Sequence, residues 1–369
     1  MRVGTVREIK DNEYRVGMSP ADVLQYVGAG HEVLIQKGAG VDSGFADEAY
    51  IENGAKILET AEEVWAEADM ICKVKEPMGK EYDLMREEQI VFTYLHMAAN
   101  KPLAEAMLKS KATGVAYETV TNDAGELPLL NPMSQIAGRL SIFSGATALE
   151  RPRGGSGILL PGVPGVRSAN VLIIGGGVVG SNAAIMAQGI GANVTLMDVN
   201  LKRLEELDLQ FNSQIATLFS DEANIERYIK DADLVISTVL IPGAAAPKLV
   251  KKEHLKMMKK GSVIVDVAID QGGSTEVSRP TTHSDPTYVV DDIVMYCVAN
   301  MPGAVPYTST KSLTNATIRY GLQLANHGVG ILKENAHFRN GLNTYKGKVT
   351  NQSVASSLDL EYVDALDLL

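Results

Sequence analysis

A glycine-rich turn between a buried strand and a helix is the feature that most constrains the fold of this chain. The apolar residues 171–174 lead into the turn, and a helix-forming run over residues 181–191 follows it. The glycines are spaced as G-x-G-x-x-G at Gly175, Gly177 and Gly180. In such a turn the first glycine permits the tight bend, the second lets the backbone approach a pyrophosphate, and the third lets the helix pack on the strand. The sequence therefore predicts a Rossmann domain that binds a dinucleotide.

The next predicted strand indicates which dinucleotide is bound. It covers residues 193–197 and ends at Asp198, close to the spacing expected for a ribose-binding acid. This carboxylate can accept hydrogen bonds from the ribose hydroxyls of NAD, and it would repel the 2′-phosphate of NADP. Lys202 and Arg203 follow closely; they could bind that phosphate or form the solvated face of a helix. We expect NAD as the cofactor.

Short apolar segments alternate with longer amphipathic ones, which indicates βαβ units and parallel sheets. The predicted strands form two series, one over residues 32–36, 70–74, 91–95 and 114–117, the other over residues 171–174, 193–197, 234–238, 263–267 and 288–290. Several of them end just before a glycine or a polar residue. Open α/β sheets bind their ligands at such strand ends, so we expect the site residues there.

Two helical segments suggest how the domains are arranged. One lies within residues 127–150, where Pro132 cannot continue a strand and Ser134 can cap the helix that follows. The other covers residues 309–334, after the helix breakers within 302–306. The chain of 369 residues is also longer than one hydrophobic core comfortably holds.

We therefore predict an α/β protein with two domains. A Rossmann domain that binds NAD, residues 130–303, is inserted into a second doubly wound α/β domain. That second domain consists of residues 1–129 and 304–369 and is expected to bind the substrate. Alternating strands and helices favour this architecture because each crossover helix covers one face of a parallel sheet.

Charge, hydropathy and cysteine content narrow the function classes. The formal net charge of -11 disfavours nucleic-acid binding. The most apolar stretch, residues 171–180, is too short to span a bilayer, and the amino-terminal segment is charged where a signal peptide would be apolar. Cys72 and Cys297 stand in apolar surroundings and indicate buried thiols, not a disulfide framework or a metal site. We expect a cytoplasmic protein without a metal cofactor.

Six motifs outside the glycine turn make the chain similar to a known family. They are REIK through EYRV in residues 7–16, VKEP in 74–77, TYLH in 93–96, LPLLNPMS in 127–134, VDVAIDQGG in 265–273 and NMPGAVP in 300–306. In this order, and over nearly the whole chain, they resemble the alanine dehydrogenase family. The same superfamily includes the NAD-binding part of membrane transhydrogenases and the saccharopine dehydrogenases.

The resemblance implies the reversible, NAD-dependent oxidative deamination of L-alanine to pyruvate and ammonium. Arg15 and Lys75 match the family positions that bind the substrate carboxylate, where arginine forms a forked pair and lysine adds a point charge. The alternative is that Arg15 pairs with Glu13 on the surface and Lys75 is solvated. His96 and Asp270 match the family's catalytic residues.

His96 and Asp270 also stand out by their positions. His96 ends the apolar run 90–95, and a histidine at the carboxyl end of a buried strand suits acid–base catalysis, the alternative being a core histidine. Asp270 follows the predicted strand 263–267, and the glycines after it suggest close approach of the backbone to a ligand. Asp266 is a rival that could simply cap a turn or pair internally.

The resemblance extends the cofactor site beyond the glycines and Asp198. It implies Ser134 and Asn300 near the nicotinamide and Ser220 near the adenine, although both serines could instead cap helices. Further cofactor contacts are implied at Val178, Val179, Val239, Leu240, Ile269 and Met301.

Two other functions are weighed against an amino-acid dehydrogenase. One is an NAD-binding subunit that docks on a membrane transhydrogenase and exchanges hydride with a partner's cofactor. The other is an NAD-binding structural protein without turnover. Neither needs an amino-acid site, so the four residues implied for substrate binding and catalysis argue against both. The resemblance also implies a homo-oligomer, commonly a hexamer, and we expect no nucleic-acid or membrane partner.

Overall fold

Strands and helices alternate along most of the chain. The computed structural model describes residues 1–239 and 246–369. The strands of the described residues are β1 (Arg2–Thr5), β2 (Glu32–Gln36), β3 (Lys56–Leu58), β4 (Met70–Cys72), β5 (Ile90–Thr93), β6 (Thr113–Ala116), β7 (Asn170–Ile174), β8 (Asn193–Asp198), β9 (Ala216–Phe219), β10 (Leu234–Ser237), β11 (Val263–Asp266), β12 (Thr287–Val290), β13 (Ile293–Tyr296), β14 (Leu342–Tyr345) and β15 (Lys348–Val349).

The helices between these strands differ widely in length. They are α1 (Pro20–Gly28), α2 (Asp47–Glu52), α3 (Ala61–Glu67), α4 (Lys101–Ser110), α5 (Asn131–Ala148), α6 (Val178–Gly189), α7 (Leu201–Gln210), α8 (Glu222–Ile229), α9 (Lys252–Leu255), α10 (Pro306–His327), α11 (Ile331–Glu334), α12 (Ala336–Arg339), α13 (Gln352–Leu358) and α14 (Ala365–Leu368).

Both ends of the chain build one compact unit, Met1–Met133 with Gly303–Leu369. Its sheet has eight strands in the order β15-β14-β6-β5-β4-β1-β2-β3. Strands β1 to β6 are parallel, and β14 and β15 add an antiparallel edge. Parallel neighbours need crossover connections, and α1 to α4 supply most of them.

The inserted unit, Ser134–Pro302, has a seven-stranded sheet in the order β12-β13-β11-β10-β7-β8-β9. All neighbours are parallel except β12, which pairs with β13 antiparallel. The chain runs outward from β7 in both directions, first through β8 and β9 and then through β10 and β11. Such a reversal of strand order opens a crevice at the carboxyl ends of the strands, where open α/β sheets bind ligands.

The central strand β7 shows why this sheet is buried on both faces. Val171 and Ile173 belong to one core cluster, and Leu172 and Ile174 belong to another. Successive side chains point to opposite faces of a strand, so each cluster occupies one face. The continuous apolar run that predicted a parallel strand is thus explained, and the predicted architecture of two α/β domains is confirmed.

Helix α5 begins earlier than predicted. It starts at Asn131, so Ser134 lies inside the helix, and its predicted role as the cap was wrong. Pro132 occupies the second helical position, where its fixed φ suits the helix and its missing N–H leaves no hydrogen bond unmade.

Two other predicted helix boundaries also differ from the structure. Asp221, not Ser220, caps α8, because its carboxylate accepts the backbone N–H of Asn224 at 2.8 Å. The predicted helix over residues 309–334 begins at Pro306 and ends at His327, where a short turn separates it from α11.

The cysteines and the helix lengths bear on the remaining sequence predictions. Both thiols are buried and unpaired with each other, so the prediction of buried thiols is confirmed. Burial raises the pKa of Cys72 to about 12 and that of Cys297 to about 11. Within the described residues, no helix combines the length and apolar character that a membrane crossing requires.

Candidate active site

Three neighbouring strands of the split unit carry the predicted substrate and acid–base residues. Strands β1, β4 and β5 are adjacent and parallel, so their carboxyl ends lie at the same edge of the sheet. The segments that leave these ends carry Arg15, Lys75 and His96, respectively. The sheet therefore gathers groups that are far apart in sequence at the edge where α/β sheets bind ligands.

Arg15 is a buried cation, with only 2% of its surface exposed. Its Nε and Nη2 donate to the two carboxylate oxygens of Glu13 at 2.6 and 2.5 Å, and its Nη1 donates to Met133 Sδ at 2.9 Å. Burial alone would lower the pKa of the Arg15 guanidinium, but the charge and hydrogen bonds of Glu13 raise it. The pair with Glu13 thus exists, but it lies inside the protein and not on the surface.

Lys75 is also buried, and its backbone contacts a network of buried charges. One carboxylate oxygen of Glu8 accepts the backbone N–H groups of Val74 and Lys75 at 2.6 and 3.3 Å. Its other oxygen accepts Lys73 Nζ at 2.9 Å, and Lys73 forms a second ion pair with Glu81 at 3.0 Å. Burial would lower the pKa of Lys73, but these two carboxylates raise it. Lys75 is therefore not the solvated lysine of the alternative interpretation.

His96 is exposed and has left-handed backbone angles, with φ 45° and ψ 35°. The Glu118 carboxylate accepts its backbone N–H at 2.6 Å and that of Leu95 at 3.2 Å, which holds this uncommon conformation. The ring of Tyr94 is stacked with the imidazole, with centroids 5.8 Å apart. His96 is therefore a histidine presented at a strand end and not a core residue.

In the inserted unit, the predicted cofactor residues also follow strand ends. Gly175 follows β7, Asp198 ends β8, Ser220 follows β9, Val239 follows β10, Asp270 follows β11 and Asn300 follows β13. Leu240 lies outside the described residues. The remaining residues are thus distributed along one edge of the sheet, on both sides of β7.

The glycine turn has the shape that a dinucleotide requires. A Cβ on Gly180 would lie 1.8 Å from the carbonyl oxygen of Gly175, so helix α6 can pack this close only with glycine there. Gly175 has φ 105°, a conformation that favours glycine. A Cβ on Gly177 would meet no atom within 4 Å, so open space lies before the amino terminus of the 12-residue helix α6. A helix amino terminus facing open space fits an anionic pyrophosphate.

Alanine substitutions at two of these glycines should separate folding from binding. Gly177→Ala should keep the thermal midpoint of unfolding, because its Cβ points into open space, but should weaken NADH binding about 5- to 150-fold through overpacking. Gly180→Ala should lower the midpoint itself, because its Cβ meets backbone. Thermal unfolding and NADH-fluorescence titration test both. Unchanged NADH affinity in Gly177→Ala would show that no ligand approaches this turn.

Asp198 and Arg203 both contact the glycine turn. Asp198 Oδ2 accepts the backbone N–H of Gly176 at 2.6 Å, and its Oδ1 accepts that of Asn200 at 2.8 Å. Arg203 Nε donates to the Gly176 carbonyl at 2.8 Å, while its Nη1 pairs with Glu206. Arg203 therefore contacts the glycine turn and does not form the solvated helix face that was the alternative interpretation. Its neighbour Lys202 is exposed on α7.

The other predicted cofactor residues differ in exposure. Val178 and Val179 are half-buried in the first turn of α6, and Ser134 and Val239 are also half-buried. Ser220 and Asn300 are likewise half-buried. The backbone N–H of Ser220 donates to the Asp198 carbonyl, and Asn300 has φ 67°. Ile269 and Met301 are buried.

The structure distinguishes the two aspartates at the end of β11. Asp270 is exposed on the turn Val267–Gln271. Asp266 is buried, and its carboxylate caps the same turn by accepting the backbone N–H of Ala268 at 3.1 Å. Asp266 is therefore the internally bonded residue, which leaves Asp270 as the candidate for contact with a substrate.

One group of described side chains has ligand atoms close enough to hold a metal ion. The ligand atoms of Glu222, Glu253 and His254 lie within 4.8 Å of one another. However, Lys251 Nζ pairs with Glu222, and His254 Nδ1 accepts the Lys251 backbone N–H at 3.1 Å. These contacts form the amino-terminal cap of α9, so we assign no metal to this group.

Sequence reasoning missed the carboxylates that hold the candidate residues in place. Glu8 and Glu13 lie in the same motif as Arg15, but most residues of this motif are charged or polar and gave no sign that these carboxylates are buried. Glu118 follows β6, the neighbour of β5 in the sheet. The rule that selected His96, a polar residue at a strand end, could therefore have selected Glu118 as well.

Comparison with known proteins places the chain beside one family. Two family models match, "Alanine dehydrogenase/PNT, N-terminal domain" over residues 4–137 and "Alanine dehydrogenase/PNT, C-terminal domain" over residues 141–352. An alanine dehydrogenase from Methanococcus maripaludis is 54% identical and covers 99% of this chain and 98% of its own. One from Bacillus subtilis is 53% identical and covers 99% of this chain and 97% of its own.

Solved structures give the same result. An L-alanine dehydrogenase aligns with a TM-score of 0.94 and 47% identity, covering 97% of this chain and 99% of that one. A transhydrogenase from Sinorhizobium meliloti aligns with a TM-score of 0.81 and 26% identity, covering 96% of this chain and 100% of that one. The similarity extends over whole chains and therefore over both units.

Proposed function

The chain belongs to the alanine dehydrogenase/PNT family, and we propose that it catalyses the reversible, NAD-dependent oxidative deamination of L-alanine to pyruvate and ammonium. The observation that carries the proposal is the set of side chains after β1, β4 and β5, namely two buried cations and an exposed histidine. An amino acid presents a carboxylate, and its oxidation requires proton transfers beside the reacting carbon. These side chains suit both requirements.

Arg15 and Lys75 are proposed to bind the substrate carboxylate. Both are buried, so a bound carboxylate would be partly shielded from water, where its attraction to cations is stronger. The pairing with Glu13 fixes the plane of the Arg15 guanidinium before substrate arrives. This arrangement orients the α-carbon at little entropic cost.

His96 and Asp270 are proposed to move the protons. NAD, when bound, takes up the hydride from the α-carbon of alanine. Water must then add to the resulting iminium, and the carbinolamine must lose ammonia, so protons move at both the oxygen and the nitrogen of the substrate. We assign His96 to the substrate oxygen and Asp270 to the water and the amine.

The cofactor is proposed to be held by the edge of the inserted sheet. The amides that begin α6, beyond Gly177, would bind the pyrophosphate, and Asp198 would accept hydrogen bonds from the adenosine ribose. Ser220 is assigned to the adenine side, and Ser134 and Asn300 to the nicotinamide side.

One assay tests the proposal against its main rival. The structural similarity to a transhydrogenase makes an NAD-binding subunit the second candidate. When alanine and NAD are the only additions to the purified protein, a dehydrogenase forms NADH, whereas a transhydrogenase subunit does not. NADH absorbance therefore decides between them, and D-alanine serves as the control substrate.

Asp198 should determine the choice of cofactor. We expect kcat/KM to be higher with NAD than with NADP. Asp198→Asn should raise the ratio of kcat/KM for NADP to kcat/KM for NAD about 10- to 100-fold, which corresponds to the free energy of a hydrogen bond to a charged group. The amide oxygen can still accept the N–H of Gly176, so the turn should persist. Asp198→Ala removes that contact too and should weaken both cofactors further. Equal use of NAD and NADP by the unmodified protein would contradict this assignment.

A homo-oligomer in the cytoplasm is the remaining part of the proposal, and the family resemblance favours a hexamer. Leu159, Val163 and Val166 are each more than half exposed on one short segment, which supports a contact with a second copy. Light scattering on the purified protein measures the assembly directly, and a monomeric mass would refute it.

A further inference from the structure

The buried carboxylate of Asp266 accepts five hydrogen bonds from the described residues. Its Oδ1 accepts the backbone N–H of Ala268 at 3.1 Å and the hydroxyl of Ser274 at 2.8 Å. Its Oδ2 accepts the N–H groups of Ser274 and Thr275 at 2.7 and 3.3 Å, and also the hydroxyl of Ser278. Hydrogen bonds to a charged group are stronger than neutral ones, so this carboxylate is a rigid point in the structure.

These donors lie on both sides of Asp270 in the chain. Ala268 precedes it, and Ser274, Thr275 and Ser278 follow it, so the Asp266 carboxylate closes the turn that presents Asp270. The turn packs directly on this carboxylate. A Cβ on Gly273 would lie 2.9 Å from Asp266 Oδ2.

A lysine holds the same turn from the outside. The exposed Lys248 donates its Nζ to the carbonyls of Gly272 and Gly273 at 2.6 and 2.7 Å. The backbone N–H of Ala246 also donates to the Gln271 carbonyl at 3.1 Å. The turn is thus fixed at its buried and at its exposed side, with Asp270 between them.

A chain of hydroxyl groups links this turn to the glycine turn. The hydroxyls of Ser274 and Ser237 lie 2.6 Å apart, and Ser237 ends β10. The next residue, Thr238, donates its hydroxyl to the carbonyls of Ile174 and Gly175 at 3.0 and 2.9 Å. Side-chain bonds therefore connect the carboxyl ends of β11, β10 and β7, the three strands on which the cofactor and Asp270 are proposed to depend.

We propose that Asp266 is a positioning residue for the reaction, which acts through Asp270 and does not itself touch the substrate. Its carboxylate is buried and accepts bonds at both oxygens, so it is not presented to a ligand. It keeps the Asp270 carboxylate at a fixed place relative to the glycine turn. The inference rests on the proposed role of Asp270 in proton transfer.

The test is a double-mutant cycle between Asp266 and Asp270. Asp266→Asn replaces one oxygen by an amide that faces donors, so the turn loosens. We expect kcat for alanine to fall about 100-fold, the scale of a small misplacement, while NADH affinity changes less than about twofold. In an Asp270→Asn background the same substitution should change kcat little, because the group that it positions is already gone.

Lys248→Met supplies a second variant if Asp266→Asn fails to fold. It removes an exposed side chain, leaves no buried charge unpaired and releases the same turn. It should also lower kcat, by a smaller factor, and this loss too should vanish in the Asp270→Asn background.

Each outcome has a definite meaning. An unchanged kcat in Asp266→Asn overturns the inference. If Asp266→Asn does not fold, an unchanged kcat in Lys248→Met overturns it. Equal losses in both backgrounds also overturn it, because a general structural defect would act without Asp270. If Asp270→Asn alone retains full turnover, the catalytic assignment of Asp270 has failed and the inference falls with it. That failure is recognised from the single variant.

Discussion

Turnover of alanine should fall about 10²- to 10⁴-fold when His96 is replaced by alanine, because a positioned acid–base group contributes a factor of this size. Asp270→Asn should lose turnover on the same scale. Both residues are exposed, so neither change disturbs a core, and NADH should still bind. Because the two groups act in one sequence of proton transfers, the double variant should be little worse than the poorer single one. Stopped-flow turnover with a parallel NADH titration measures this.

Matched controls separate catalysis from surface effects. His327 and Asp285 are also exposed, and neither is assigned to the site. His327→Ala and Asp285→Asn should therefore turn over alanine at nearly the unmodified rate. Full activity in His96→Ala or Asp270→Asn, with NADH binding intact, would mean that the wrong residue has been assigned.

Most strands that the sequence predicted well are buried within their sheets, but the interior strands β1 and β13 were not predicted. Residues 32–36 agree with β2 throughout, and β7 differs from its prediction by one residue. The edge strands β3 and β9 were missed, since both are short and partly exposed. An apolar run is visible in sequence, whereas an edge strand exists because a neighbour supplies its hydrogen bonds.

Two strands end two residues earlier than predicted, for a reason that only the structure shows. Strand β4 was expected to reach Val74, but the N–H of Val74 donates to the Glu8 carboxylate. Strand β5 was expected to reach Leu95, whose N–H donates to Glu118. In each case a carboxylate from elsewhere in the chain accepts the backbone N–H that would otherwise have donated to a neighbouring strand. Sequence patterns identified residues at strand ends, but not the carboxylates that set their conformation.

The two buried cations show the same limit, because the sequence left the burial of Arg15 and Lys75 open. Charged side chains are rarely buried without a partner. Glu13, which supplies the partner of Arg15, was considered only as its surface companion. An ion pair on the surface contributes little to stability. This pair is buried, so removal of either partner leaves a buried charge behind and destabilises the fold strongly.

Arg15→Ala should therefore have two effects at once. Removing the guanidinium leaves the Glu13 carboxylate buried without its forked partner, which destabilises the fold by about 3–5 kcal/mol. It also removes the group proposed to bind the substrate carboxylate. The transition state should then be stabilised by about 2–5 kcal/mol less, which lowers kcat/KM. Thermal unfolding measures the first effect, and steady-state kinetics with alanine and pyruvate measure the second.

Two further variants separate these effects. Arg15→Lys keeps the positive charge but loses the fork, so it should regain much of the stability while KM for alanine stays high. Glu13→Gln keeps the guanidinium and weakens its pairing, so it should lower stability with a smaller change in KM. Lys75→Ala should raise KM without affecting NADH binding, because Lys75 is proposed to contact the substrate carboxylate and not the cofactor. Normal KM values in both Arg15→Lys and Lys75→Ala would show that these buried cations serve the fold and not the substrate.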